Sequence, residues 1–137
     1  MEQETRINEN KALYSQWVRM WNGELELCDH IIGDEFVVHL TADCPQPQVE
    51  IRDADAVRAW VGARRSHIDA MTYDVKEAPS VSATTVMAYW RATTGPARTP
   101  HRPASDVAKV GVDVLRIANG KFVECWTANI SARASAA

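Results

Sequence analysis

The stretch from Gly111 to Trp126, GVDVLRIANGKFVECW, constrains this chain more than any other. Two runs rich in β-branched and apolar residues flank Ala118-Asn119-Gly120, and both Asn and Gly tolerate the positive φ that a tight turn demands. The pattern predicts two antiparallel strands. A side-chain period of two puts Val110, Val112, Val114 and Arg116 on one face of the first strand, and Gly111, Asp113, Leu115 and Ile117 on the other. Asp113 stands out there as a carboxylate between apolar neighbours.

A length of 137 residues suits one domain able to bury a core without staples. A net charge of −3, with scattered Lys and Arg, gives no electrostatic footprint for nucleic acid or an anionic membrane, so neither is expected as a partner. Cys28, Cys44 and Cys125 are odd in number and lack Cys-x-x-Cys spacing, which argues against a disulfide framework and a zinc knuckle. Reduced thiols are expected. The first residues lack the apolar stretch of a signal peptide and no apolar run could span a bilayer, so a cytoplasmic location is expected.

Along the chain, Ile7, Tyr14, Trp17, Val18 and Trp21 recur at helical spacing and predict a helix over residues 4–22, ended by Asn22-Gly23. Tyr14, Trp17 and Trp21 are either core or the wall of a cavity. A second helix is expected over 24–32, burying Leu25, Cys28, Ile31 and Ile32, with Gly33 as a left-handed cap. Residues 34–40 read as a strand. Pro45 and Pro47 predict an irregular loop over 41–48. Asp53 N-caps a third helix with Val57, Trp60, Val61, Arg64 and Ile68 at helical spacing. Its Arg58, Arg64 and Arg65 are solvated or snorkelling, or else clamp a substrate anion. Strands are expected over 71–77 and 80–94, the second apolar on both faces. A Pro-rich loop over 95–106 and a small, polar, frayed tail over 131–137 complete one domain with an ordered core of about 5–130.

Gly111, Asp113, Arg116, Gly120, Lys121, Glu124 and Trp126 together spell a pattern that resembles the last hairpin of the SnoaL-like polyketide cyclases. Those belong to the nuclear transport factor 2-like superfamily, with ketosteroid isomerases, scytalone dehydratases and limonene-epoxide hydrolases. The resemblance implies an α+β fold in which a strongly curved antiparallel (mixed) sheet wraps about three helices into a cone with an apolar pocket. It implies no metal or organic cofactor and a homodimer paired through sheet faces, for which Val112, Val114 and Arg116 are placed. It also sets Asp113 where ketosteroid isomerases keep a protonated acid, a case that is a standard example of pKa tuning, and His39 at their general-base position. Strand parity points Val37 and His39 inward with Gly111, Asp113 and Leu115.

The departures from these relatives are specific. The isomerase tyrosine falls near Gln16 by spacing from Gly23, with Tyr14 and Trp17 out of register. Asn129 stands where SnoaL-type cyclases place a late carboxylate, and Trp126 is followed by Thr127 and Ala128 rather than the pattern of epoxide hydrolases. His39, His67 and His101 leave dehydratase-like chemistry open. Of the loop motif Gly-Thr-His-x-Gly, Gly95 and His101 alone have echoes.

Two classes of function follow. One is a cofactor-independent enzyme acting on an apolar or aromatic carbonyl compound, with His39 as base, Asp113 as acid or orienter, and Tyr14, Trp17, Trp60, Trp90, Cys125 and Asn129 lining the pocket. The other is a non-catalytic module that binds a small ligand or pairs with itself. For Asp113 a structural alternative is a sheet carboxylate paired with an arginine.

Overall fold

The computed structural model describes residues 2–40, 50–68, 70–94 and 107–130. The expected loop at 41–48, with Cys44, the Pro-rich segment with Gly95 and His101, and the tail at 131–137 lie outside these residues.

Helix α1 (Glu2–Trp21) buries Leu13, Tyr14, Trp17, Met20 and Trp21, one stripe at i, i+3 and i+4 spacing. Gly23, at φ 115°, ends it by taking a conformation that a side chain would resist. The second helical segment is shorter than its sequence suggests: a 3-10 turn at Leu25–Leu27 leads into α2 (Cys28–Ile31). Gly33 is not a left-handed cap. Ile32 is already extended at φ −101°, and Gly33 lies inside strand β1 (Ile32–Leu40), where the backbone of Phe122 passes close. Helix α3 (Ala54–His67) starts at Asp53, whose side chain accepts a hydrogen bond from the Ala56 N–H.

The remaining strands are β2 (Thr72–Val75), β3 (Ser80–Val81), β4 (Thr85–Thr93), β5 (Val107–Ala118) and β6 (Lys121–Ile130). The expected single strand over 80–94 is thus two strands. The break comes where Ser82 Oγ accepts from the Thr84 and Thr85 N–H groups, a side-chain turn that competes with the ladder. Asn10 of α1 donates to the freed Ser82 and Ala83 carbonyls. The turn between β5 and β6 forms as expected, with Asn119 at φ 53° and Gly120 at φ 76°.

The six strands make one mixed, curved, unclosed sheet in the order β1-β6-β5-β4-β2, with β3 also on β4. Neighbours pair antiparallel except β1 and β6, which run parallel. The helices fill the concave side. Trp17 packs edge-on to Phe122 with ring centres 5.3 Å apart, and both are fully buried with Phe36, Met20 and Ile31. Burying side chains of this size contributes about 1.5–3 kcal/mol each before the entropy of ordering them is counted.

Strand parity came out differently in β5 and β1. On β5, Gly111, Asp113, Leu115 and Ile117 are buried on the concave face, as read from the alternation. On β1 the expected inward pair is reversed: Phe36 is buried and Leu40 faces the interior, while Val37 is 42% exposed and His39 is on the convex face. An irregularity between Ile32 and Val37 resets the pairing of β1 on β6, and a one-residue change of register exchanges the two faces.

Candidate active site

The concave side opens into a cavity of about 530 Å³ of space between atoms, solvent at its mouth included. Its wall is aromatic. Trp60 of α3 meets Trp21 edge-on at 5.0 Å, Trp21 stacks on Tyr73 at 5.5 Å, and Tyr73 stacks on Trp90 at 5.6 Å. Offset and edge contacts of this kind contribute about 0.5–1.5 kcal/mol each beyond area burial, which makes the wall stiff as well as apolar.

Two polar tethers hold that wall in place. Asn22, just past α1, donates to the Tyr73 carbonyl and accepts from the Tyr73 N–H, both at 2.8 Å. Arg65 donates to the Trp21 carbonyl at 2.8 Å and the Met71 carbonyl at 3.0 Å. Arg65 is therefore a structural bracket rather than a solvated side chain.

At the base of the cavity sits Asp113, 3% exposed. Its Oδ1 accepts from Trp90 Nε1 at 2.9 Å and from Thr127 Oγ1 at 2.5 Å, and its Oδ2 accepts from Tyr73 Oη at 3.1 Å. Four strands thus meet at one carboxyl: β2, β4, β5 and β6. No arginine pairs with it among the described residues, so the expected ion-pair alternative is replaced by three neutral donors. Burial pushes the Asp113 carboxyl above its ordinary value, because desolvation outweighs the pull of the Thr127, Trp90 and Tyr73 donors toward the ionised form. Burial and the nearby Asp113 charge in turn push Tyr73 well up and raise Tyr14, so both phenols remain protonated.

Gly111 makes this cluster possible. A Cβ there would stand 2.5 Å from the Ala128 carbonyl oxygen and 2.8 Å from Trp90 Cε2, and would also strike Trp90 Cζ2. The indole of Trp90 lies across the bare backbone of Gly111, which lets its N–H reach Asp113 two residues further along the same face. A glycine inside a strand is a sequence signal for such an approach.

Of the residues expected at the site, Asp113, Trp60, Trp90 and Asn129 line the cavity. Tyr14, Trp17 and Cys125 do not: all three are buried in the core behind it, Trp17 and Cys125 completely. Tyr14 and Trp17 of α1, rather than Gln16, come near Asp113; Gln16 faces a groove beside the hairpin turn. The Tyr14 hydroxyl and the indole N–H groups of Trp17 and Trp21 are buried with no hydrogen-bond partner among the described residues. Trp21 and Arg64, each read from the sequence with two alternatives, line the cavity, and Tyr73, Thr127 and Lys109 line it without any sequence signal for it.

His39 and Asp113 are not brought together. His39 Nε2 lies 2.6 Å from Glu124 Oε2, and its ring stacks on the exposed Trp126 at 5.2 Å. Arg116 Nε donates to the other Glu124 oxygen at 3.0 Å, and His39 and Arg116 hold the Glu124 carboxyl below its ordinary value. This is a convex-face cluster with the sheet between it and the cavity. Among the described residues no three His, Cys, Asp or Glu side chains are grouped to hold a metal ion, and no helix is long and apolar enough to cross a membrane.

A curved mixed sheet closed on one side by three helices, with a carboxyl at the bottom of an aromatic cavity, defines an α+β cone. The SnoaL-like domain matches residues 14–125, and the chain belongs to that family. Its fold is similar to a candidate isomerase of the SnoaL-like family from Agrobacterium tumefaciens, at 13% identity and a TM-score of 0.70 over 90% of this chain and 99% of that one. It is also similar to a candidate polyketide cyclase from Acidithiobacillus ferrooxidans, at 19% identity and a TM-score of 0.68 over 88% and 87% of the two chains. TsrD from Streptomyces laurentii aligns at 20% identity and a TM-score of 0.64 over 89% and 88%. No curated protein matches the sequence significantly.

Proposed function

We propose that the cavity takes up a small, planar, largely apolar carbonyl or phenolic compound and that Asp113 is its acid–base group, in a proton transfer that needs no cofactor: an isomerisation, an aldol-type cyclisation or a dehydration. The observation that carries this reading is a carboxyl of raised pKa at the base of an aromatic-walled cavity. In its ionised form Asp113 takes a proton from a carbon beside the carbonyl, and in its protonated form it returns that proton. A pKa moved toward the working pH serves both steps. Tyr73, Thr127 and Trp90 stabilise the carboxylate between them and fix its orientation. His39 has no part in this scheme, since it faces the other side of the sheet. The expected homodimer belongs to the same reading, with the convex face as its contact.

A second reading, a binding module without chemistry, is favoured by two observations: Asp113 already receives three hydrogen bonds, and among the described residues no histidine lines the cavity. Exchange of the α-protons of 2-tetralone in deuterated buffer, followed by NMR, separates the two. As an enzyme, the wild-type protein accelerates exchange, and Asp113→Asn loses about 10²–10⁴-fold of that acceleration while 2-tetralone still quenches tryptophan fluorescence. Saturable quenching without exchange in the wild type supports the binding module. Neither signal would remove the cavity reading.

A further inference from the structure

Three arginines lie on α3, and two of them are spoken for. Arg58 pairs with Asp29 at 2.7 Å and with Asp55, and Arg65 brackets the Trp21 and Met71 carbonyls. Arg64 lines the cavity and makes no ion pair or side-chain hydrogen bond among the described residues. Lys109 does the same from β5, on the concave face shared with Gly111 and Asp113. The described lining therefore presents two unpartnered cations, and its one carboxyl is Asp113.

We propose that the molecule this cavity takes is a carboxylate, its anionic end held by Arg64 and Lys109, its aromatic body against Trp60 and Trp90, and its oxygen-bearing far end at Asp113. The inference rests on the cavity being a small-molecule site and names the class of molecule it admits. Lys109 and Asp113 are four residues apart on one strand, about 13 Å between backbone positions at about 3.3 Å per residue. Less the two side chains, that reach suits a two-ring body with a polar group at each end.

Three physical points support the assignment. Both cations line a cavity of a chain whose net charge is −3, so they run against its overall electrostatics. A guanidinium offers a planar fork matched to a carboxylate, and an ammonium adds a mobile point charge. The raised pKa of Asp113 lowers the negative charge that an incoming anion meets at the base.

The test is calorimetric titration at neutral pH with two probes, 6-hydroxy-2-naphthoate and the neutral 2-naphthol, and the reading is the ratio of their affinities. The wild-type protein is expected to prefer the naphthoate by about tenfold or more, and this ratio should fall about fivefold or more in Arg64→Gln and in Lys109→Gln, and again at about 0.5 M salt. Lys76→Gln serves as the control, since Lys76 sits over the Tyr89 ring at 4.9 Å on the convex face and should leave the ratio at its wild-type value. Equal affinity for both probes overturns the carboxylate assignment and leaves the cavity reading standing. A preference that survives in both Arg64→Gln and Lys109→Gln overturns it too. Binding of neither probe removes the cavity reading and the assignment with it.

Discussion

Asp113 is costly to the fold in one protonation state and cheap in the other. Its pKa is raised on folding, so the folded state holds the proton more tightly than the unfolded chain does. The contribution of Asp113 to stability is therefore fully present below the ordinary carboxylate value of about pH 4 and is lost as the pH rises through the higher folded value. Asn at this position can keep the geometry: its oxygen accepts from Trp90 and Thr127, and its amide donates to the Tyr73 hydroxyl. Urea denaturation of wild type and Asp113→Asn from about pH 4 to about pH 8 should show the wild type losing stability relative to the variant as the pH rises. A constant difference across that range would mean that Asp113 titrates as it does in the unfolded chain.

Between elements, the decisive joint is the one that ties α1 to β2. Asn22→Ala removes both hydrogen bonds to the Tyr73 backbone and leaves a carbonyl and an N–H to find other partners. A loss of about 1–3 kcal/mol is expected, read by denaturant melts, with faster hydrogen exchange at the Tyr73 amide. The sequence marks Asn22 as a helix stop, and it is one; the partner it finds fifty-one residues later leaves no local trace. The same division runs through the whole site. The concave set of β5 was legible because Gly111 and Asp113 interrupt an otherwise apolar alternation. The parity of β1 was not, because Phe36-Val37-Val38-His39-Leu40 is apolar on both faces and the irregularity after Ile32 decides which side is which. Tyr73 was not legible, and Trp21 was left open between core and cavity, for another reason. Nothing in a four-residue strand or in one turn of an aromatic stripe tells core from cavity, whereas the fold buries Trp17 completely and brings Trp21, one turn on, to the cavity wall.

At the scale of the molecule, the two sides of the sheet have different chemistry. The concave side is aromatic and closed by helices. The convex side leaves Val37, Met87, Tyr89, Trp126 and Ile130 exposed beside the His39–Glu124–Arg116 cluster. Exposed apolar side chains gathered on one face mark a surface that another body covers, and the proposed homodimer would bury them. Sedimentation velocity on wild type and Trp126→Arg should show a dimer that weakens to monomer in the variant, because a charge there must be desolvated to keep the contact. A wild-type monomer at the concentrations used for binding would place the site within a single chain.

The parallel pairing of β1 on β6 has a kinetic consequence. Val38 lies against Cys125 and His39 against Trp126, so one edge of the sheet joins the first third of the chain to its last hairpin. The β5–β6 hairpin closes locally across two residues, but β1 must wait for a loop spanning most of the chain to be drawn shut, an entropic cost met before any ladder bond repays it. Thr127, which completes the Asp113 cluster, lies on that same last strand. The Asp113–Thr127 contact therefore comes with the local hairpin, whereas Leu40, the part of the cavity wall that β1 supplies, is set in place only once the long loop has closed.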